Sequence, residues 1–254
     1  MEWDWIKEVA ALKAQGIPFA ICTVCETHGS TPREIGAKMV VLGNASITGT
    51  IGGGRLEFDV IRLGLECLQK GETKKINIPL GAKVGQCCGG SVQVLIESFQ
   101  KPKMLFIFGA GHVGKAVCES MTGTEFQIHL IDEREALVLD TNISNSIVRH
   151  SCEWQDFVDE AEWNRELTYA VVMTHRHDLD EEIISALLSR PTKYLGLIGS
   201  RSKWARFRNR LTLRNFSEEQ LNLVRCPIGI GDLGKSPKAV AISLAAEILT
   251  LAHA

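Results

Sequence analysis

The chain has 254 residues, of which 45% are hydrophobic and 23% charged, shares that are typical of globular domains and exclude disordered and fibrous classes. The formal net charge of −2 excludes whole-molecule attraction to nucleic acid or to an anionic membrane. No apolar run reaches the length of about 18 residues that predicts a membrane span, and the acidic start Met1–Trp5 lacks the basic region of a secretory signal. We therefore expect a cytoplasmic protein of two domains.

The first hundred residues predict a small mixed α/β domain. Its expected elements, in chain order, are a helix over 5–12, a strand at Phe19–Thr27, a hairpin turning at Gly43-Asn44, a helix opened by Gly52-Gly53-Gly54, and strands at 74–80 and 92–99. The segment Lys101-Pro102-Lys103 interrupts this pattern, because proline between charged residues breaks local structure. We place a domain of residues 1–100 before this break and a domain of residues 103–254 after it.

Short apolar strands alternate with helices after this boundary. Strands are expected at 104–108, 127–131, 169–174 and 194–198, with helices at 181–188 and 204–213 and a last helix that Ser236 and Pro237 begin. Continuous apolar strands separated by helices are typical of a parallel sheet that is covered on both faces. The predicted fold class is therefore α/β, with a Rossmann-type doubly wound parallel sheet at the C-terminus and the smaller mixed domain before it.

The first strand of this second domain leads directly into Gly109-Ala110-Gly111-His112-Val113-Gly114. Glycines at this spacing permit a tight turn, close approach of a phosphate and tight helix packing, so Gly109, Gly111, His112 and Gly114 are predicted cofactor contacts. Asp132 ends the next strand, 21 residues after Gly111, where an acid commonly holds a ribose diol. Arg134 could admit a 2′-phosphate or be an ordinary loop residue, so NAD and NADP are not distinguished. A turn that serves only as scaffold is the alternative.

Three further segments, 174–178, 199–206 and 226–229, are expected to reach the same crevice. Thr174–Asp178 contains two histidines, but Leu179 and Asp180 stand where the H-x-H-x-D-H run of metallo-hydrolases needs aspartate and histidine. We predict His175 as a cofactor contact and candidate proton-transfer residue rather than a metal ligand, with helix capping as the plainer role of Asp178.

The second strand end, Gly199-Ser200-Arg201, opens a basic stretch. Residues 193–214 contain seven Lys or Arg and no Asp or Glu. A solvated helix face is the common explanation of such a run. Its start at a helix N-terminus beside the crevice favours an anion site, so Ser200 and Arg201 are predicted contacts.

Eight cysteines are many for a cytosolic chain. Four are predicted to pack within regular elements: Cys22, Cys25, Cys67 and Cys118. Cys152 and Cys226 fit no class. Cys87 and Cys88 are adjacent and flanked by glycines, which leaves their thiols reachable, and adjacent thiols can bind a soft metal, carry sulfur or oxidise together.

Four segments in order resemble the signatures of the XdhC/CoxI family of xanthine dehydrogenase accessory proteins: Thr27–Arg33, Ile51–Glu57, Gly85–Gly90 and Cys226–Gly229. The resemblance covers nearly the whole chain. It implies a typically dimeric cytoplasmic factor that binds molybdenum cofactor, supports its sulfuration by a cysteine desulfurase and delivers it to a xanthine dehydrogenase-type hydroxylase. It also implies that the vicinal cysteines contact this cofactor. Leu233–Lys238 departs from the family's acidic helix start, which leaves client or ligand preference open.

Molybdopterin bears a phosphate, a dithiolene and a molybdenum centre. We expect the glycine turn and the basic stretch to hold the phosphate or a nucleotide portion, and Cys87 and Cys88 to contact molybdenum, so that both domains clasp the cofactor. We thus expect a cofactor-binding chaperone rather than a catalyst. The alternative is an NAD(P)-dependent oxidoreductase in which His175 moves a proton, and a nucleotide-sensing interaction module is a third hypothesis.

Overall fold

The computed structural model describes residues 3–80 and 90–253. It divides the chain into two compact units, Met1–Lys101 and Pro102–Ala254. Within the described ranges, no helix is both long and apolar enough to cross a membrane.

The first unit is an antiparallel sheet with a helix on each face. Its elements are α1 (Trp5–Ala14), β1 (Phe19–His28), β2 (Lys38–Leu42), β3 (Ile47–Gly49), α2 (Gly54–Lys70), β4 (Lys74–Pro79) and β5 (Ser91–Phe99). The strands lie in the order β3-β2-β1-β5-β4, and every neighbouring pair is antiparallel.

Alternation of side chains along β1 decides which helix covers which face. Ala20 and Cys22 point to the same face and pack in one core with Val60 of α2. Phe19 points to the opposite face, in a smaller cluster that includes Val9 of α1. The strand is therefore continuously apolar in sequence because both of its faces are buried.

The second unit is a parallel sheet. Its elements are β6 (Lys103–Phe108), α3 (His112–Met121), β7 (Phe126–Ile131), α4 (Glu135–Val138), β8 (Val148–His150), α5 (Trp154–Glu160), β9 (Thr168–Val172), α6 (His177–Leu187), β10 (Tyr194–Leu197), α7 (Arg201–Leu213), α8 (Glu218–Leu221), β11 (Val224–Arg225) and α9 (Pro237–Ala252). The strands lie in the order β11-β10-β9-β6-β7-β8.

This order confirms the predicted Rossmann-type fold, since the chain starts in the middle of the sheet and winds outwards in both directions. Leu105 and Ile107 of β6 face a core that includes α3 and α9, while Phe106 and Phe108 face a second core that includes α5, α6 and α7. The carboxyl ends of β6 and β9 are neighbours at the point where the winding reverses. A ligand crevice is expected there.

Two histidines stack beside the second core. His129 on β7 and His150 on β8 have ring centroids 5.1 Å apart, and Nδ1 of the former lies 2.9 Å from Nε2 of the latter. The buried Nε2 of His129 has no hydrogen-bond partner among the described atoms. Burial, with a smaller contribution from His150, lowers the pKa of His129 to about 4. The folded unit therefore favours the neutral ring.

We expect acid to destabilise the protein through His129. The unfolded histidine titrates near its usual value of about 6.5 and the folded one near 4, so the unfolded state takes up the proton first as the pH falls. Stability is then fully present above pH 6.5 and declines towards pH 4. Urea unfolding at pH 7 and pH 5 should reveal a loss of about 1–2 kcal/mol, discounted for partial exposure, that His129→Gln lacks. The exposed His253→Gln is the control, and an equal loss in all three proteins would contradict this assignment.

Candidate functional site

The glycine turn after β6 is held by backbone packing at two of its three glycines. Gly109 has φ +121°, and an added Cβ would lie 2.4 Å from the carbonyl oxygen of Met173. A Cβ on Gly114 would lie 1.9 Å from the carbonyl oxygen of Gly109. Side chains at these positions are thus excluded by the fold itself, whether or not a ligand is bound.

Gly111 differs from both of these glycines. Its φ is −71°, a value that any residue adopts, and no atom lies within 4 Å of an added Cβ. It is the N-cap of α3, and no side chain caps this helix end by hydrogen bonding. Neither packing nor backbone conformation requires glycine here. The space in front of Gly111 therefore gives a ligand access to the N–H groups at the start of α3.

A cavity of about 500 Å³ lies over this turn, at the junction of β6 and β9. The polar and charged side chains that line it are His112, Lys115, Arg134, Thr174 and His175. Two of these groups are permanent cations, and the lining residues include no carboxylate. The volume is within the usual range for small-molecule sites, and the cations favour an anionic ligand.

Asp132, the predicted ribose acid, is already bonded within the protein. Its Oδ2 accepts hydrogen bonds from the Ala110 N–H at 2.7 Å and from Arg134 Nη2 at 2.6 Å. Its Oδ1 accepts from the backbone N–H and the Nε of Arg134, at 3.0 and 2.8 Å. Burial acts to raise the pKa of this carboxyl, but the Arg134 and Ala110 hydrogen bonds together hold the pKa below its usual value. Asp132 is ionised and fixes both the turn and Arg134.

A buried ion pair supports the neighbouring strand end. Lys203 of α7 donates to Asp180 Oδ2 at 2.6 Å and to the Ile198 carbonyl at 2.8 Å. The other oxygen of Asp180 accepts from the backbone N–H and hydroxyl of Thr174, at 2.9 and 2.7 Å. Both charged residues are almost fully buried, with 5% and 1% exposure. The network fixes the loop that follows β9 to the start of α7.

Ion pairs with acids from other segments neutralise most of the basic stretch over 193–214. Within the described ranges, five of its seven cations are paired: Lys193 with Glu166, Lys203 with Asp180, Arg208 with Glu218, and Arg210 and Arg214 with Glu181. Arg201 and Arg206 remain outside these pairs. The acids come from other elements, so local sequence counting could not reveal them.

A second cavity, of about 320 Å³, lies beside the start of α7. Ser200, His175 and Arg206 line it, whereas the predicted contact Arg201 is exposed and is not among its lining residues. The Ser200 hydroxyl accepts the Lys203 backbone N–H at 3.2 Å and thereby caps the helix. Ser200 and Arg201 remain predicted contacts, and Arg206, which belongs to the basic stretch predicted to hold a phosphate, lines this cavity.

His175 occupies the most central position of the predicted contacts. It is exposed and lines both cavities as well as a smaller recess beside Asp132 and Trp154. Nearby Asp178 pairs with Arg176 at 2.8 Å, and hydrogen bonds from Arg176 and the Leu179 N–H lower the pKa of Asp178 to about 2. The part of the chain that the structure describes contains no cluster of three potential metal ligands.

The vicinal Cys87 and Cys88 lie outside the described residues. Among the described thiols, Cys22, Cys67 and Cys118 are buried as predicted, while Cys25, Cys152 and Cys226 are half-buried. Burial raises the pKa of Cys22 and of Cys118 to about 12 and that of Cys226 to about 11. Thiols with raised pKa values are protonated and unreactive at neutral pH.

Three signature segments of the first unit meet at one place. A Cβ on Gly90, which ends the cysteine segment, would lie 2.2 Å from the His28 carbonyl oxygen and 2.6 Å from that of Ser30. A Cβ on Gly52 would lie 2.3 Å from Pro32 Cγ. The His28–Pro32 loop thus lies against both the glycine turn before α2 and Gly90, the last residue of the cysteine segment.

Glu57 of α2 holds that glycine turn. Its carboxylate accepts from the Thr50 hydroxyl at 2.5 Å and from the Ile51 N–H at 3.0 Å. Burial acts to raise the pKa of Glu57, but hydrogen bonds from Thr50 and from the backbone of the turn together lower it. The sequence analysis assigned no role to Glu57. Its position in the first turn of a helix that begins with glycines, seven residues after Thr50, could have indicated one.

Family comparisons match both units. The XdhC Rossmann domain model matches residues 105–248, and the XdhC and CoxI family model matches residues 12–78. The uncharacterized protein YqeB of Escherichia coli K12 is 31% identical over 247 residues, which cover 95% of this chain and 45% of that protein. A probable xanthine dehydrogenase subunit from Bacillus subtilis 168 is 25% identical over 166 residues, or 63% of this chain and 46% of that protein.

The chain therefore spans about half the length of the curated relatives it matches. A crystal structure described as a xanthine dehydrogenase from Bacillus halodurans aligns with a TM-score of 0.53 and 18% identity, covering 99% of this chain and 96% of that one. At this identity the likeness concerns the fold alone.

Proposed function

Because the chain belongs to the XdhC and CoxI family, we propose that it is an accessory factor that binds molybdenum cofactor, supports its sulfuration and inserts it into a xanthine dehydrogenase-type hydroxylase. The observation that carries the binding step is the open cavity in front of Gly111, which is lined by Lys115 and Arg134 while their acid partners Asp140 and Asp132 are not among its lining residues. In this proposal the protein works as a homodimer with a cysteine desulfurase as its sulfur source, and the cofactor is its cargo.

The phosphate of the cargo is assigned to the start of α3. Backbone N–H groups at a helix N-terminus and the positive end of the helix dipole bind phosphate well. Lys115 adds a cation at the cavity wall, held by an ion pair with Asp140 at 2.6 Å. Exposed His112 and His175 supply further hydrogen-bonding groups for the polar pterin.

The molybdenum end of the cargo is assigned to Cys87 and Cys88 of the first unit. Thiolates are soft ligands that suit molybdenum and sulfur transfer, and flanking glycines permit close approach. This assignment is supported by the residue pattern and by family membership, and it concerns residues outside the described ranges.

The double variant Cys87→Ser, Cys88→Ser tests this assignment. Loss of outer-shell partners alone costs about 10–100-fold in metal affinity, so we expect client activation to fall by about tenfold or more. The measurement combines the hydroxylase activity of a co-expressed client with the molybdopterin content of the purified accessory factor. Cys152→Ser, which alters a half-buried thiol elsewhere, is the matched control and should retain full activation.

Full molybdopterin binding together with full client activation in the double variant would overturn the thiol assignment. Bound NAD(P) and turnover of a carbonyl substrate would instead favour the oxidoreductase alternative, with His175 as its proton-transfer residue.

A further inference from the structure

Arg134, which pairs with Asp132, lines one side of the 500 Å³ cavity. The carboxylate uses both oxygens, accepting two hydrogen bonds at each from Arg134 and the Ala110 N–H. Its side chain is only 5% exposed. No oxygen of Asp132 is left to face a ligand in this arrangement.

A ribose diol could reach Asp132 only by displacing Arg134. That exchange would separate a half-buried ion pair and leave the carboxylate with weaker, neutral donors. The pairing therefore opposes the diol contact that an acid at the end of the second strand usually makes.

Arg134 presents its other edge to the cavity. Nε and one N–H of Nη2 are directed at Asp132, which leaves three of the five guanidinium N–H groups without an acceptor among the described residues. The side chain is 34% exposed and lines the cavity, whose lining residues include no acid. Glu133 is exposed, lines the smaller recess that Asp132 also lines, and interacts electrostatically with Arg134 without lining the cavity. A planar fork of this kind suits a phosphate oxygen pair.

We propose that Arg134 is a specificity-determining residue for a phosphate monoester on the ligand, and that the cavity accepts a nucleotide with a phosphate at this corner in preference to one with a free vicinal diol. Asp132 is the positioning residue that orients the guanidinium. The inference depends on the glycine turn as a nucleotide site, and it concerns the same cavity to which the cargo's phosphate is assigned, so the two ligands would compete for it.

Titration calorimetry of the full chain with two probes tests the preference. Adenosine 2′,5′-bisphosphate and adenosine 5′-monophosphate differ only in the 2′-phosphate, and we expect the bisphosphate to bind at least about tenfold more tightly, as a charge-assisted bidentate contact implies. Arg134→Gln should remove this difference. Arg134→Lys, which keeps a cation without the fork, should lose most of it. Arg190→Gln, which alters a half-buried arginine paired with Asp159, should keep it.

The proposal would be overturned by equal affinity for the two probes, by tighter binding of the monophosphate, by no binding of either, or by an unchanged preference in both Arg134 variants. Inorganic phosphate is the third probe. Binding as tight as that of the bisphosphate would reveal a free-anion site and would also overturn it. If the protein retains molybdopterin but shows no preference between the two nucleotides, this inference alone fails. If it shows the preference but carries no molybdopterin, only the accessory role fails.

Discussion

Gly111→Ala is expected to reduce molybdenum cofactor binding by about 100-fold while changing the free energy of unfolding by no more than about 1 kcal/mol. The new methyl group meets no protein atom within 4 Å, so the fold accommodates it. It occupies the space through which a phosphate must approach the N–H groups of α3. The measurement pairs molybdopterin content with urea unfolding of the same preparation.

Gly114→Ala provides the contrasting control three residues along the same turn. Its Cβ would lie 1.9 Å from the Gly109 carbonyl oxygen, so the backbone must shift, and we expect a loss of about 3 kcal/mol or more in stability. Both substitutions add one methyl group. We expect Gly111→Ala to lose cofactor and keep its stability, and Gly114→Ala to lose stability. Unchanged cofactor content in Gly111→Ala would mean that the ligand does not approach this helix end.

Lys203→Met is expected to cost about 3–5 kcal/mol in unfolding free energy, because it leaves the Asp180 carboxylate buried without its cation. A unit of this size should then melt roughly 10 °C lower. Lys193→Met is the matched control, since its pair with Glu166 is exposed and is expected to contribute no more than about 1 kcal/mol.

Asp180→Asn added to Lys203→Met should recover part of this loss. Asparagine leaves no unpaired charge in the buried site. Its side-chain oxygen can still accept the hydrogen bond from the Thr174 N–H that Asp180 Oδ1 accepts in the wild type. Thermal melts of the single and double variants measure the coupling. The account would be contradicted if the double variant were less stable than Lys203→Met alone, or if Lys203→Met melted at the same temperature as the wild type.

The apolar strands of the second unit could be predicted from the sequence because burial on both faces makes them continuously hydrophobic. β6, β7, β9 and β10 were expected on this ground and are present. β8 and β11 were missed, since edge strands of three and two residues carry too little pattern. Glycine spacing correctly predicted the turn before α3 because its first and third glycines are required by backbone packing.

Only part of the candidate site could be predicted, because a sequence does not show which acid pairs with a given cation. The acids Asp180 and Glu181 stand in α6, more than 20 residues before the cations they neutralise in α7. The partner of Asp132, in contrast, is two residues away, so Arg134 lay within reach of sequence reasoning. Contacts at Gly109, Gly111, His112, Gly114, His175, Ser200 and Arg201 stay predictions until a ligand is bound.

The most direct test of the accessory role is the molybdopterin content of the full chain purified from a molybdate-replete host. Oxidation converts the bound pterin to a fluorescent product that can be quantified against protein, with Gly111→Ala purified in parallel. The account predicts bound molybdopterin in the wild type and its near-absence in the variant. A wild-type protein without pterin that instead carries NAD(P) would contradict it.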